Sequence, residues 1–165
     1  ARPRPQRSPE PESGRQPTRV RPTSVSLRST LALTAAEESA QAVVLIAEDH
    51  EDSRDALRVL LEAVGYRVAL AANGREAVEA ACAVHPDLIL MDMMMPEVDG
   101  FEATRALRRT AEFRQVPILA VTAMAGSRER ALEAGCNDAI AKPIDMRRFL
   151  QQIHQWIRRE PRVES

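Results

Sequence analysis

The sequence predicts an α/β fold in which a five-stranded parallel sheet carries helices on both faces. The first observation is a set of five short apolar runs of strand length, at 43–47, 68–71, 88–91, 118–121 and 139–141. The second is that segments with apolar residues at helical spacing separate these runs. Such alternation favours parallel strands, because parallel strands need crossover helices and both faces of the sheet must then be covered.

The helices are predicted from apolar residues three and four positions apart. The first stripe consists of Ala56, Leu57, Leu60, Leu61 and Val64. Gly65 is expected to end that helix, since glycine readily adopts the left-handed cap conformation. The second stripe consists of Ala77, Val78, Ala81 and Val84, and Asn73 is its candidate N-cap.

The last helix shows the clearest pattern of the chain. Its apolar stripe consists of Met146, Phe149, Leu150, Ile153 and Ile157. Asp145 precedes the stripe and is expected to cap the helix, because a carboxylate accepts hydrogen bonds from the first free N–H groups.

Composition divides the 165-residue chain into tails and one domain. Residues 1–41 contain seven arginines against four acidic residues, and six prolines lie within residues 3–22. Such a segment buries too little apolar surface to offset the entropy lost on ordering. We therefore expect a disordered tail or linker at 1–41, a domain at 42–160 and a short tail at 161–165.

Charge and hydropathy exclude several classes of function. From residue 42 onward 16 basic and 20 acidic residues make the domain mildly acidic, which disfavours a nucleic-acid partner. No run approaches the ~20 apolar residues of a membrane span, and the start lacks the apolar core of a secretory signal. Cys82 and Cys136 lie far apart and have no metal-binding spacing, which is typical of a reducing compartment. We expect a cytoplasmic protein with no membrane partner.

Polar residues stand at the carboxyl ends of four predicted strands. Glu48 and Asp49 follow the first strand, Asp92 the third, Thr122 the fourth and Lys142 the fifth. Open parallel sheets bind their ligands beyond this edge, so we expect these side chains to share one site.

Three carboxylates at one site need a compensating charge. Two like charges ~4 Å apart repel by roughly 4 kcal/mol at an effective dielectric near 20, so the cluster must protonate, recruit a lysine or bind a cation. Oxygen ligands with room for water suit Mg2+. Lys142 is the one lysine among 23 basic residues, and a compact ammonium in place of a guanidinium indicates a specific task there.

The chain resembles the receiver domains of two-component response regulators. The motifs that carry the resemblance are Glu48-Asp49, the run from Met91 to Gly100, Val121-Thr122-Ala123 and Ala141-Lys142-Pro143. The resemblance covers residues 42 to about 158. It implies a flavodoxin-like, doubly wound sheet with strand order 2-1-3-4-5.

The resemblance also implies a metal site and a phosphoryl acceptor. Asp92 would accept the phosphoryl group of a phosphohistidine on a histidine kinase or a histidine phosphotransfer protein. Asp49, Asp92 and the backbone carbonyl of Met94 would bind Mg2+ directly, and Glu48 would act through water.

Two further residues are implied as ligands of the transferred group. Thr122 would donate its hydroxyl to one phosphoryl oxygen and Lys142 its ammonium to another. The Lys142-Pro143 bond is expected to be cis. The chain would thus be a signalling receiver that catalyses only its own phosphorylation and dephosphorylation.

The chain departs from the receiver pattern at the segment that follows Thr122. Thr122 and Gly135 are 13 positions apart, two fewer than is usual in the family, so the loop and fourth helix are expected to be short. Ala139 stands where many receivers carry a tyrosine or phenylalanine. We therefore expect phosphorylation to be relayed by movement of the loop and helix. Met94 and Met124, two residues beyond Asp92 and Thr122, cannot orient a hydrolytic water well, which predicts slow self-dephosphorylation.

Other functions remain open at the level of sequence. A phosphatase of the haloacid-dehalogenase type would need a second aspartate where Met94 stands, and an FMN-binding protein would need a phosphate cradle in place of the acids after the first strand. Within the receiver family, a single-domain regulator is expected, since the chain ends at Ser165 shortly after the last helix. The alternative is the carboxyl-terminal receiver of a hybrid histidine kinase. The downstream protein, and whether phosphorylation causes dimerisation, are left open.

Overall fold

A computed structural model describes residues 42–123 and 126–158. The tails predicted at 1–41 and 161–165, and Met124, lie outside the described residues.

Strands and helices alternate from β1 to α5. The strands are β1 (Val43–Ala47), β2 (Arg67–Ala71), β3 (Leu88–Asp92), β4 (Ile118–Thr122) and β5 (Asp138–Ala141). The helices are α1 (Glu51–Ala63), α2 (Gly74–Val84), α3 (Gly100–Arg109), α4 (Ser127–Ala134) and α5 (Met146–Arg158), with a short 3-10 helix at Ala111–Phe113.

The five strands form one parallel sheet in the order β2-β1-β3-β4-β5. This confirms the predicted α/β fold and its strand order. Every residue of β3 and β4 is buried, whereas the edge strands β2 and β5 are partly exposed. The uninterrupted apolar sequence of the inner strands follows from coverage on both of their faces.

Two hydrophobic clusters cover the two faces of the sheet. Helices α2, α3 and α4 contribute to one cluster Ala77, Ala81, Ala103, Leu107, Ala131 and Ala134. Helices α1 and α5 contribute to the other Leu57, Leu61, Phe149 and Ile153. The carboxyl ends of the strands are thereby held at one edge, which positions the loops that follow them.

The predicted helix ends are confirmed. Asn73 Oδ1 accepts a hydrogen bond from the Glu76 N–H at 2.8 Å. Asp145 Oδ1 accepts one from the Arg147 N–H at 3.1 Å. Helix α1 ends before Gly65, which has a left-handed φ of 102°.

Four strands are one residue longer than their apolar runs predict. Strands β2 and β5 begin one residue earlier, while β3 ends at Asp92 and β4 at Thr122. Asp92 pairs with Val121, and Thr122 pairs with Ala141, so backbone pairing continues through these polar positions. The two side chains predicted for the site therefore project from the sheet itself rather than from loops.

Within residues 42–123 and 126–158, none of the helices has both the length and the apolar content that a membrane span needs.

Candidate functional site

The acidic residues predicted for the site lie together at the carboxyl edge of the sheet. Glu48, Asp49 and Asp92 each offer one carboxylate oxygen, and these oxygens lie within 4.8 Å of one another. Lys142 Nζ, from the end of β5, lies 3.2 Å from Glu48 Oε2 and 3.4 Å from Asp92 Oδ2. Residues almost a hundred positions apart in the chain thus form one charged cluster.

Glu48 is held by three neighbours. It is 3% exposed. The His50 N–H donates to Glu48 Oε1 at 3.1 Å, and Lys142 donates to Oε2. The Arg54 guanidinium donates to the Glu48 backbone carbonyl at 3.0 Å. The buried carboxylate needs the His50 N–H and Lys142 as donors, because burial removes the water that would otherwise bind its oxygens.

Asp92 is the last residue of β3 and is 5% exposed. The Met94 N–H donates to Asp92 Oδ1 at 3.0 Å, which fixes the carboxylate relative to the loop that follows. Lys142 donates to Oδ2. Helix α3 begins at Gly100, whose N–H donates to the Met93 carbonyl at 3.3 Å, so the residue that follows Asp92 is bonded directly to α3.

Three carboxylates share one ammonium in this cluster. Burial, and next the negative charge of Asp92, raise the pKa of the Glu48 carboxyl above its ordinary value, and the nearby lysine does not reverse this. Burial opposes the charge of Lys142, but the charges of Asp92 and Glu48 outweigh it and raise the pKa of Lys142. A divalent cation would supply the positive charge that one lysine does not.

Thr122 ends β4, the strand beside Asp92, and Lys142 follows β5, the next strand of the sheet. Thr122 is buried, and its carbonyl accepts a hydrogen bond from the Lys142 N–H at 2.9 Å. The Lys142-Pro143 bond is cis, as the resemblance to receiver domains implies. The hydroxyl-bearing residue and the ammonium-bearing residue are therefore fixed to each other through the backbone.

The donor set fits Mg2+. The side-chain ligand atoms are all carboxylate oxygens. Asp49 is exposed, which leaves the site open to water and to a substrate. Met94 follows Asp92 by two residues and offers its backbone carbonyl as a further oxygen ligand. Magnesium prefers one or two carboxylates together with water and phosphate oxygens. Glu48, Asp49, Asp92 and the Met94 carbonyl remain the predicted ligands.

Two residues that shape this site were missed at the level of sequence. Gly100 approaches the Asp92 main chain closely, and its place in the run from Met91 to Gly100 was the available signal. Arg54 holds the Glu48 carbonyl, and nothing in the sequence distinguishes it from the other arginines of the chain.

Comparison with known families identifies a match over most of the described domain. The family model described as "Response regulator receiver domain" matches residues 44–154.

Sequence relatives agree with this match. The polar-differentiation response regulator DivK of Brucella ovis is 43% identical over 116 residues, which cover 69% of this chain and 94% of that protein. DivK of Brucella anthropi has the same identity and coverage.

Solved structures of similar shape include receiver domains of kinases. One is the receiver domain of the sensor histidine kinase PA1611 of Pseudomonas aeruginosa PAO1, solved with a magnesium ion coordinated in its active site cleft. It is 39% identical, with a TM-score of 0.66 over 70% of this chain and 97% of that chain. Another is the signal receiver domain of a signal transduction histidine kinase from Syntrophus aciditrophicus. It is 33% identical, with a TM-score of 0.68 over 75% of this chain and 96% of that chain.

Proposed function

This chain belongs to the response regulator receiver domain family, and from that membership we propose that Asp92 accepts a phosphoryl group from a phosphohistidine. The observation that carries the proposal is the cluster of three carboxylates and one lysine around Asp92.

The reaction is a displacement at phosphorus. A carboxylate oxygen of Asp92 attacks the phosphorus, an O–P bond forms, and the P–N bond to the donor imidazole breaks. The imidazole leaves with the electron pair of that bond and takes up a proton from solvent. The product on Asp92 is an acyl phosphate.

Mg2+ would be held by Asp49, Asp92 and the Met94 carbonyl, with Glu48 acting through water, and when bound it neutralises charge on the transferring oxygens. The chain supplies the rest. The Met94 N–H keeps the Asp92 carboxylate in one orientation. Asp92 itself is 5% exposed, so water and substrate reach its carboxylate only from the side of Asp49.

Thr122 and Lys142 act on the product. Lys142 contacts the Asp92 carboxylate at 3.4 Å before transfer, and it would then contact an oxygen of the new phosphoryl group. Thr122 would donate its hydroxyl to a second oxygen. These bonds exist only in the phosphorylated protein, and they provide the free energy for a change of the adjoining loops.

The partners that follow from this function are proteins. The donor would be a histidine kinase or a histidine phosphotransfer protein, and the output an as yet unidentified downstream protein. The chemistry of the chain is confined to its own phosphorylation and dephosphorylation. The similarity to DivK over 94% of that regulator favours a single-domain regulator, and the similarity to the PA1611 receiver favours the alternative of a receiver within a hybrid histidine kinase.

The test is phosphorylation by a small donor. Wild type incubated with Mg2+ and acetyl phosphate should gain the mass of one phosphoryl group, and Asp92→Asn should gain none. Chelation of Mg2+ should prevent the gain. Hydroxylamine should remove the group from the wild type, because it cleaves acyl phosphates and leaves phosphoserine intact.

The matched control removes a carboxylate from the surface. Asp55 lies on α1 beside Arg58, and Asp55→Asn should be phosphorylated like the wild type. A wild type that gains no mass, or an Asp92→Asn variant that still gains it, would overturn the proposal.

A further inference from the structure

We propose that Arg54 is a positioning residue of the metal site, and that it acts by fixing the peptide unit between Glu48 and Asp49. The inference rests on the proposed function, because it concerns the binding of Mg2+ by Asp49. It adds a residue from α1 to a site that is otherwise built from strand ends and the loops after them.

The contact itself is specific. Arg54 Nη1 donates to the Glu48 backbone carbonyl at 3.0 Å, and the side chain is half-buried. Carboxylates surround Arg54 along α1, at positions 51, 52 and 55, yet within the described part of the chain Arg54 forms no ion pair. The guanidinium is thus directed to a main-chain oxygen although charged acceptors are close in sequence.

This contact controls the backbone that carries Asp49. The Glu48 carbonyl and the Asp49 N–H belong to one planar peptide unit, so a donor that holds the carbonyl sets the plane of the whole unit. The Asp49 side chain is exposed, and among the described residues it has no hydrogen-bond partner. Its place in the site therefore depends on the main chain beneath it.

The other donors to Glu48 do not perform this task. The His50 N–H and Lys142 bind the side-chain oxygens of Glu48, which leaves its carbonyl to Arg54. Loss of Arg54 would free the peptide unit to rotate while the Glu48 carboxylate stayed in place. Positioning groups one step removed from a metal commonly change its affinity by about 10- to 100-fold.

Charge and positioning predict opposite effects of removing Arg54. A guanidinium close to a cation site repels the cation, so loss of the charge alone would tighten Mg2+ binding. Loss of positioning would weaken it. The sign of the change therefore separates the two explanations.

The experiment compares three variants of the full chain by calorimetric titration with Mg2+. Arg54→Ala should bind Mg2+ about 10-fold more weakly than the wild type. Arg54→Lys should recover most of the affinity, since an ammonium can also donate to a carbonyl. Arg58→Ala removes the same charge one helical turn away, where Arg58 pairs with Glu62 at 3.3 Å, and it should bind Mg2+ as tightly as the wild type or slightly more tightly.

A second readout separates affinity from chemistry. With acetyl phosphate, Arg54→Ala should need about 10-fold more Mg2+ for half-maximal phosphorylation, whereas its rate at saturating Mg2+ should stay close to that of the wild type. Thermal unfolding without Mg2+ shows whether Arg54→Ala is folded. If it is unfolded, the Mg2+ affinity of Arg54→Lys is compared with that of the wild type instead.

Either of two results would overturn the inference. A folded Arg54→Ala that binds Mg2+ as well as the wild type, or more tightly, would contradict it and leave the proposed function intact. A wild type that binds no Mg2+ would overturn both.

Discussion

Gly100 lies against the main chain of Asp92: a Cβ built on Gly100 would stand 2.3 Å from the Asp92 carbonyl oxygen. Real Cβ contacts are essentially never shorter than 3.0 Å. The first residue of α3 therefore rests directly on the residue that we propose as phosphoryl acceptor. Close approach, rather than a left-handed turn, is what requires glycine at this position.

Gly100→Ala should both destabilise the protein and reduce phosphorylation. Alanine in a helix is favoured over glycine by up to about 1 kcal/mol. Overpacking against a backbone carbonyl typically costs about 1–3 kcal/mol, so the steric effect should prevail. Because the backbone of Asp92 must shift, the rate of phosphorylation by acetyl phosphate should fall as well. Urea unfolding and intact mass measure the two effects.

Gly135→Ala is the matched control for this prediction. Gly135 has a φ of 117°, and a Cβ there would meet Arg108 Cγ at 2.7 Å, at the end of α4 that points away from the site. This variant should also lose stability, but its folded fraction should be phosphorylated normally. A Gly100→Ala protein as stable and as readily phosphorylated as the wild type would show that the close approach is unimportant.

Arg108 should be the arginine on which stability depends most. Its guanidinium donates to five acceptors, which are the carbonyls of Phe113, Arg114, Val116 and Gly135 and the side chain of Asn137. Burial lowers the pKa of Arg108, as expected for a charge held by neutral oxygens. Arg108→Met would leave these oxygens without their donor, so the free energy of unfolding should fall by about 2–4 kcal/mol.

Arg109→Met is the control for Arg108→Met. Arg109 is the next residue of α3, is exposed, and has no ion pair within residues 42–123 and 126–158. Its replacement should change the free energy of unfolding by less than about 0.5 kcal/mol, as measured by urea titration. Equal effects of the two substitutions would contradict the assignment of a structural role to Arg108.

Periodic features of the fold were predictable from the sequence. The uninterrupted apolar runs of β3 and β4 indicate burial on both faces of the sheet. The polar residues that come directly after these runs indicate where the site lies. Strand ends were less predictable. Asp92 and Thr122 are polar, so their membership of strands is determined by pairing with Val121 and Ala141 rather than by hydropathy.

Contacts between a side chain and a main-chain carbonyl were not predictable. Arg54 and Arg108 are two of 22 arginines, and no periodic pattern separates them from Arg58 or Arg109. Their partners are main-chain oxygens, which every residue has. Only the fold brings the Glu48 carbonyl to Arg54 and the Gly135 carbonyl to Arg108.

Dephosphorylation of the chain should be slow. Met94 follows Asp92 by two residues and is 59% exposed at the mouth of the site, and its thioether can neither donate a proton nor accept one strongly. Met124 holds the equivalent position after Thr122 in the sequence. Met124→Glu should shorten the lifetime of the phosphorylated protein, because a carboxylate can orient an attacking water. Intact mass followed over time after removal of the phosphodonor gives the lifetime.

Leu132→Glu controls for the added negative charge. Leu132 is exposed on α4, so a glutamate there should fold normally and leave the lifetime unchanged. A Met124→Glu protein that loses its phosphoryl group no faster than the wild type would count against a role for these methionines.

Helix α4 has one fixed end and one less constrained end. Arg108 donates to the carbonyl of Gly135 at the carboxyl end of α4, at 2.9 Å. At the amino end, Gly126 occupies the N-cap and has no side chain to bind the free N–H groups. Ala139 is too small to report a movement of Thr122 by rotating. A phosphorylation signal should therefore move the amino end of α4 about its carboxyl end.

Arg130 should connect this movement to the site. Its guanidinium lies over the ring of Phe101 at 4.6 Å, and Phe101 follows the glycine that rests on Asp92. An acyl-phosphate mimic such as beryllofluoride should change backbone hydrogen exchange between residues 123 and 134, and Arg130→Ala should uncouple that change from the first turn of α3. Arg128 lies on the same helix as Arg130 and forms a 2.6 Å ion pair with Asp138 of β5. Arg128→Ala removes that pair and should leave the coupling in place. A pair of structures with and without the mimic that shows no backbone difference between residues 123 and 134 would exclude this relay, since neither Ala139 nor a static α4 could then transmit the signal.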